Sequence, residues 1–465
     1  MNREDLFESI GHTDDALLEK CEKKKSRRPV WFSAVAALLA VVLGLGIFFR
    51  PQVALEVQAV AVAQYPEAVP YPEDPSDDKS YEAWWEYNRN HAPEPGYADN
   101  LNAFFRAGIR EFLSRGEGNV LCSPLNTYLA LSMLAELTGG ETRREVLEVL
   151  GAENMETLRQ QASTLWNAQY KNDGATTSIL ASSLWLGENV PYNRATLKTL
   201  AENYYATSYT GKMGSSEMDQ ALQDWINSQT GNQLAEQASS LHLTPETLLA
   251  LAATIDFHAK WLDEFNPQAT APGTFHTPDG DVTADFMHAS RTASYYWGEG
   301  FGAVGLDLNN GAGTMWLILP DEGVTPEALI QQDNVLDFLS QGHRWQDQEY
   351  LIVNMAVPKF DVTSDLSLND GLKALGVTQV FDPETADFGP ALTEDMGMYL
   401  SETRQAVRVS IDEEGVDAAA YTVMMMAGSG RPPEKTVDFT LDRPFLFAVT
   451  SGDQLPLFAG IVENP

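Results

Sequence analysis

The chain has 465 residues, a mass of 51.2 kDa and a formal net charge of −36. Its length is too great for one domain of average size. The excess of acidic side chains argues against a nucleic-acid-binding protein, because a phosphate backbone would repel it. Hydrophobic residues make up 44% of the chain, which excludes a disordered acidic protein. The two cysteines, Cys21 and Cys122, are too few for a disulfide scaffold or a CxxC…CxxC metal site.

The first predicted element is an apolar helix at residues 29–49. Its body, WFSAVAALLAVVLGLGIFF, carries no charge, and about twenty apolar residues cross a hydrocarbon core. Residues 1–28 end in a dense basic cluster, whereas the flank after the helix is acidic. The positive-inside rule therefore places the N-terminal segment 1–28 in the cytoplasm and the rest of the chain outside the cell. A cleaved signal peptide is the alternative, but its apolar region spans only about 7–15 residues. We expect a retained single-pass anchor in the cell membrane.

The next segment, residues 50–96, is rich in Pro, Glu, Asp and Tyr, as in YPEAVPYPEDPSDDK. Proline lacks a backbone donor and like charges extend the chain, so this composition predicts a semi-rigid stalk. Residues 97–465 have no second linker and no obvious repeat. We expect them to form one large globular domain.

Within this domain, helical spacing of apolar residues comes first and period-two alternation comes later. Helices are predicted at 98–114, 124–137 and 142–150, and the second opens with Ser123 as its cap and Pro124 in its first turn. Strands are predicted at 315–319, 351–358, 407–411, 437–441, 445–449 and 457–462. Early helices followed by late strands indicate an α+β domain.

Enzyme motifs are missing from the sequence. It contains no HExxH, no P-loop and no GxGxxG after a strand, and its seven histidines are scattered. A membrane-anchored hydrolase would need a nucleophile that no motif supplies. We therefore expect a protein that is not an enzyme, with no cofactor and no metal.

The segment SIDEEGVDAAAYTVMMMAGSGRPPEK, residues 410–435, is unusual. Its middle alternates like a β-strand, with the small or apolar side chains of Val416, Ala418, Ala420 and Thr422 on one face. The glycines and prolines that follow break any regular element. The segment is either an ordinary edge strand with its loop or an exposed loop that can become a strand.

Four further segments, together with this one, carry a family resemblance that covers residues 97–465. They are NVLCSPLNTYLALSMLAELTGGETRREVLEVLG at 119–151, TIDFHAKWLDEF at 254–265, VPKFDVTSDLSLNDGLKALGVTQVFDPETADF at 357–388, and DRPFLFAVTSGDQLPLFAGIVENP at 442–465. In sequence and order they resemble the motifs of the serpin family.

The resemblance implies a fold and an activity. The fold would have three β-sheets, about eight or nine helices and an exposed reactive loop. The activity would be suicide inhibition: a serine protease attacks the loop, becomes acylated, and is trapped in a covalent 1:1 complex when the cleaved loop inserts as a strand into the central sheet. The alternative is a non-inhibitory serpin, which acts as a binding module or as a simple protease substrate.

The resemblance also implies the parts of the loop. The hinge would comprise Glu413, Glu414, Gly415, Val416, Asp417, Ala418, Ala419, Ala420, Tyr421 and Thr422. Val416 replaces the more usual Thr or Ser, and Tyr421 replaces the usual alanine but faces outward. Because the inward face is small and uncharged, we expect the hinge to insert.

The family's usual distance from Gly415 places the reactive bond between Ser429 and Gly430, with Met426 and Arg431 as alternative cleavage points. A small residue before this bond suits elastase-like or subtilisin-like proteases.

Two further clusters are implied by the resemblance. A breach at the top of the sheet would contain Trp261, Lys359 and Glu413, with Lys359 and Glu413 as an ion pair. A shutter under the sheet centre would contain Ser123, Pro124, Asn126, Ala253 and Gln405. Asn126 stands for the family's serine, Ala253 for its asparagine and Gln405 for its histidine, so we expect a rewired hydrogen-bond network.

These features lead to a hypothesis about where the protein acts. A bacterial cell would display a monomeric inhibitor outside its membrane to protect its surface from external proteases. The acidic charge would speed encounter with basic proteases such as neutrophil elastase.

Overall fold

A computed structural model of the chain describes residues 57–67, 69–72, 78–174, 176–416 and 433–465. From Val57 to Pro465 the chain forms one compact unit. The predicted cytoplasmic segment 1–28 and the predicted anchor 29–49 lie outside the described residues. Within the described ranges, no helix is both long enough and apolar enough to cross a membrane.

Seventeen strands occur in the described residues. They are β1 (Val57–Ala61), β2 (Val120–Cys122), β3 (Lys171–Asn172), β4 (Thr177–Gly187), β5 (Ala206–Gly211), β6 (Leu249–Lys260), β7 (Ala271–Thr277), β8 (Gly280–Gly298), β9 (Phe301–Leu308), β10 (Gly313–Pro320), β11 (Gln348–Pro358), β12 (Phe360–Ser367), β13 (Arg404–Ile411), β14 (Gly415–Val416), β15 (Thr436–Thr440), β16 (Phe445–Ser451) and β17 (Pro456–Val462). Each of the six predicted strands corresponds to one of these, from β10 to β17.

Eleven α-helices occur in the same residues. They are α1 (Asp78–His91), α2 (Asn102–Leu113), α3 (Pro124–Leu137), α4 (Gly140–Val149), α5 (Met155–Gln169), α6 (Arg194–Asn203), α7 (Ser216–Gln229), α8 (Ala235–Ser239), α9 (Pro326–Ile330), α10 (Asp333–Gln341) and α11 (Asn369–Leu375). The three predicted helices correspond to α2, α3 and α4. The count exceeds the expected eight or nine, and α8 and α9 are only five residues long.

The strands form two hydrogen-bonded sheets. The first has the order β1-β5-β4-β6-β14-β13-β12, and β3 pairs with β4. The second has the order β15-β11-β8-β9-β10-β16-β17-β2, and β7 pairs with β8. The described residues form two sheets where three were expected, because the 19-residue strand β8 joins two of them into one. It pairs with β7 over residues 280–286, with β11 over residues 286–296 and with β9 over residues 295–298.

Helix α3 lies between the two sheets, in contact with β6 and β17. Ser123 caps the helix by accepting a hydrogen bond from the Asn126 N–H, and Pro124 occupies its first turn. Nearly every residue of α3 is buried, which is the pattern of a helix surrounded by core. Its N-terminal turn therefore lies directly beneath the first sheet.

The structure differs from the expected stalk, 50–96, over the residues that it describes. Strand β1 pairs antiparallel with β5, with Val57 opposite Gly211 and Ala61 opposite Ser208. Beyond β1, Tyr65 stacks on the ring of Trp166 at 5.4 Å. Residues of the expected stalk form a strand because the edge of β5 offers them backbone hydrogen-bond partners. The local composition of a segment cannot reveal such a distant partner.

Helix α1 continues this folded extension. Trp84 is buried, and its indole N–H donates to the Asp173 carboxylate at 2.7 Å. The backbone N–H of Tyr71 donates to the carbonyl of the same Asp173, also at 2.7 Å. Aromatic side chains that the stalk composition contains are therefore used to dock the segment on the domain.

Candidate functional site

The turn after β13 begins the candidate site. The Asp412 carboxylate accepts hydrogen bonds from the backbone N–H groups of Glu414 at 2.8 Å and Gly415 at 3.2 Å, which is an Asx-type turn. A Cβ atom on Gly415 would lie 2.3 Å from the carbonyl oxygen of Ala259. The approach of the two backbones therefore requires glycine, and the turn directs the chain into the first sheet as β14.

Strand β14 lies between β6 and β13. On β6, Gly415 pairs with Lys260 and Val416 pairs with Ala259; on β13, Val416 pairs with Ile411. Both pairings are antiparallel, and Val416 is only 3% exposed. Within the described part of the hinge, Glu413 and Glu414 thus lie in the turn, and Gly415 and Val416 form the two-residue strand β14.

Beyond Val416, β6 and β13 do not pair with each other in the part of the chain that the structure describes. Each is paired on its far side, β6 with β4 and β13 with β12. Strand edges carry rows of backbone donors and acceptors that can accept another strand. We call these two facing edges, residues 249–258 and 404–410, the insertion seam. A strand that continued β14 along the seam would be antiparallel to both flanks.

The breach residues meet above the seam. Trp261 is 2% exposed, and its indole N–H donates to the Asp412 carbonyl at 2.8 Å. Lys359 Nζ lies 2.8 Å from Glu413 Oε2, and the Thr270 hydroxyl donates to Glu413 Oε1 at 2.7 Å. The hinge turn is therefore attached to the neighbouring strands through its backbone and through one carboxylate.

This carboxylate is held in its charged form. Burial opposes ionisation of Glu413, but the hydrogen bonds from Lys359 and Thr270 outweigh it, so the pKa of Glu413 lies below its ordinary value of 4.5. The hydrogen bond to Glu413 raises the pKa of Lys359 above its ordinary value of 10.5 against a smaller effect of burial. The pair is ionised throughout the neutral range.

The shutter residues meet below the seam, at the N-terminal turn of α3. The Gln405 side chain accepts from the Ser123 N–H at 2.8 Å and donates to the Ser123 carbonyl at 3.1 Å and the Thr127 hydroxyl at 3.0 Å. The Asn126 side-chain amide donates to the Ala253 carbonyl at 3.0 Å. One helical turn is thus hydrogen-bonded to both flanks of the seam.

The remaining predicted site residues lie outside the described residues. They are the later hinge residues Asp417, Ala418, Ala419, Ala420, Tyr421 and Thr422, the reactive bond Ser429–Gly430, and the alternatives Met426 and Arg431. Their assignment stays a prediction.

Three residues of the site were not found from the sequence. Asp412 could have been, because an Asp three residues before a Gly is the pattern of such a turn. Thr127 lies one helical turn after the Ser123 cap, but nothing local links it to Gln405. Thr270 has no local signal, since the fold alone brings it to Glu413.

The described residues contain no group of three or more His, Cys, Asp or Glu side chains that could hold a metal ion. Burial raises the pKa of the Cys122 thiol to about 12, so this cysteine is an unreactive core residue.

Comparison with known proteins identifies the family. The family model described as "Serpin (serine protease inhibitor)" matches residues 101–465, and the chain belongs to the serpin family. Serpins are in general protease inhibitors and not enzymes.

Among its relatives, Serpin-Z2B of Triticum aestivum is 26% identical over 368 residues, which cover 75% of this chain and 90% of that protein. Among solved structures, the thermophilic serpin tengpin in its native state has a TM-score of 0.71 and 23% identity, over 88% of this chain and 100% of that one. Thyroxine-binding globulin in complex with thyroxine has a TM-score of 0.67 and 22% identity, over 79% and 98%. These two structures support the fold.

Proposed function

We propose that this serpin inhibits serine proteases by covalent trapping with loop insertion. The observation that carries the proposal is the insertion seam: two facing strand edges, entered at one end by the hinge strand β14. Sheet edges of this kind bind an added strand through main-chain hydrogen bonds. The loop that follows Val416 is covalently attached at the correct end of the seam.

The proposed chemistry begins at the carbonyl of Ser429. The protease serine attacks it, the Ser429–Gly430 peptide bond breaks, and the Gly430 amine leaves with a proton, so an ester joins the protease to Ser429. The free end of the loop then continues β14 along the seam and carries the acylated protease with it. Distortion of the protease by this movement prevents hydrolysis of the ester.

The hinge supports inhibition over the alternative of a binding module or a simple substrate. Val416 is buried in the strand position that insertion requires, and the inward positions 418, 420 and 422 are Ala, Ala and Thr. Thyroxine-binding globulin, in its complex with thyroxine, shows the same fold in a ligand-binding protein. A hinge of small inward residues favours the inhibitor.

The likeness to serpins says nothing about residues 1–56, so the setting of the domain is part of the proposal. We propose that residues 29–49 anchor a monomeric inhibitor in a cell membrane, with residues 1–28 in the cytoplasm and the serpin domain outside. An elastase-like or subtilisin-like protease is the proposed target. The bacterial source stays a prediction, since the relative named above is a plant protein.

The test uses the full chain, purified in a mild detergent and mixed with neutrophil elastase, subtilisin, chymotrypsin and trypsin. We expect a covalent 1:1 band on a denaturing gel and a released peptide that starts at Gly430. A released peptide that starts at another residue would show that the reactive bond lies there, and the trapping mechanism would still hold. Cleavage by all four proteases without a covalent band would reject the inhibitor.

A hinge variant tests the mechanism itself. Position 418 faces inward by parity, so in Ala418→Arg a guanidinium would have to enter the sheet without a partner when the loop inserts. Insertion should then fail, and the protein should be cleaved as a substrate. Asp417→Asn is the matched control, because position 417 faces outward by parity and should still form the covalent band. Trapping by Ala418→Arg at the wild-type yield would refute insertion at this hinge.

A further inference from the structure

The folded extension before α2 closes a cavity against the rest of the domain. The cavity has a volume of about 410 Å³, which suits a small organic ligand. One wall includes Pro66, Val69, Tyr87 and His91, and the other walls come from residues after α2. The residues of the first wall precede the segment 101–465 that matches the serpin family. The cavity is therefore a feature of this chain and does not follow from the serpin fold alone.

The cavity contains a buried hydroxyl group without a partner. Ser178, on β4, lines the cavity and is only 3% exposed. Its hydroxyl has no hydrogen-bond partner within the described residues. Leaving such a group unpaired is unfavourable, and buried polar side chains are in general paired. A hydroxyl group of a ligand in the cavity would supply the missing partner.

Two more residues that line the cavity have hydrogen-bonding capacity left. The Gln169 amide nitrogen donates to the Tyr97 hydroxyl at 2.9 Å and to Asp453 Oδ2 at 3.2 Å. The Tyr97 hydroxyl donates to the same Oδ2 at 3.0 Å. In the part of the chain that the structure describes, Gln169 Oε1 and Asp453 Oδ1 accept no hydrogen bond. Each of these oxygens can therefore accept one from a ligand.

The composition of the lining indicates the chemical class of the ligand. Lys171 and Asp453 both line the cavity, and charges of opposite sign favour a neutral molecule. The rings of Tyr87, Tyr170 and Phe257 offer apolar contacts beside the polar groups. An apolar ligand would leave the Ser178 hydroxyl unpaired. A neutral ring with several hydroxyl groups meets all of these conditions, because its hydroxyls donate and accept while its C–H groups pack on aromatic side chains.

We propose that this cavity binds a neutral saccharide of one or two rings. Ser178, Gln169 and Asp453 bind its hydroxyl groups, and Tyr87 of the extension packs against a ring. The site is independent of the proposed inhibitory function, because none of these four residues belongs to the hinge, the insertion seam, the breach or the shutter.

The experiment uses the full chain in a detergent that has no sugar headgroup. Saturation-transfer NMR measures the binding of glucose, galactose, N-acetylglucosamine, maltose and chitobiose, with glucuronate as an anionic comparison. We expect saturable binding of at least one neutral sugar. Glucuronate should bind more weakly than that sugar, because the Asp453 carboxylate repels it.

A pair of serine variants tests where the sugar binds. Ser178→Ala should lower the affinity about threefold to tenfold. It should not lower the urea midpoint of the sugar-free protein, because its hydroxyl has no protein partner to lose. Ser208 is the matched control: it is 0% exposed and its hydroxyl is likewise unpaired within the described residues, but it does not line the cavity. Ser208→Ala should leave the affinity within about twofold of wild type.

The proposal fails if none of the five neutral sugars binds saturably, or if glucuronate binds more tightly than they do. An equal loss of affinity in the two serine variants would also overturn it, because the bound sugar would then lie outside this cavity. A lower urea midpoint for sugar-free Ser178→Ala would overturn it as well, since the protein itself would then pair the hydroxyl.

Discussion

Glu413 links the hinge turn to Lys359, at the junction of β11 and β12, and to Thr270. Because its pKa is lowered in the folded protein, the stabilisation by this carboxylate is complete above pH 4.5. It is lost as the pH falls through the lower, folded-state pKa. Acid should therefore weaken the contacts of the breach, whereas neutral and mildly alkaline conditions should leave them intact.

Glu413→Gln tests this titration. The urea midpoint of the variant should lie below that of the wild type at pH 7. The two midpoints should converge as the pH falls through the lowered folded-state pKa of Glu413, since the wild-type carboxyl is then protonated as well. The exposed neighbour provides the control: Glu414→Gln should match the wild type at every pH. A difference between wild type and Glu413→Gln that does not shrink as the pH falls below 4.5 would contradict the assignment.

The docking of helix α1 on the domain through Trp84 can be tested by substitution. Trp84→Phe keeps an aromatic ring in the buried position but loses the hydrogen bond to the Asp173 carboxylate. We expect it to lower the free energy of unfolding by about 2 kcal/mol, measured by urea titration of the full chain. Trp85 is 48% exposed, so Trp85→Phe should change stability by less than about 0.5 kcal/mol. Equal effects of the two substitutions would mean that α1 does not dock through Trp84.

Elements with strong local signals could be predicted from the sequence, whereas those that depend on a distant partner could not. Helix α3 is long, capped by Ser123 and apolar, and its predicted bounds agree with the observed ones. Strand β1 has five residues in a proline-rich, acidic segment, and only the edge of β5 makes it a strand. The hinge was predicted from the family resemblance, whereas the need for glycine at position 415 comes from the close approach of Ala259 on β6. Thr270 was not, since its contact with Glu413 is tertiary.

The net charge makes a prediction for the whole molecule. With a formal charge of −36, the full chain should attract a basic protease over long distances and repel an acidic one. The second-order rate of complex formation with neutrophil elastase should fall about tenfold between 25 and 250 mM salt, because screening shortens that attraction. The limiting rate at saturating protease provides an internal control and should not change. An association rate independent of salt would remove electrostatic steering from the proposal.

The register of β1 fixes where the chain enters the domain. Val57 lies opposite Gly211, at the end of the sheet where β6 begins, while the hinge pairs with Lys260 at the other end. From the level of Ala259 to that of Leu249, a strand added along the seam descends ten residues, about 34 Å. Under the proposed mechanism, the end of the inserted strand and the protease attached to it would therefore lie beside Val57, where the described chain enters the first sheet.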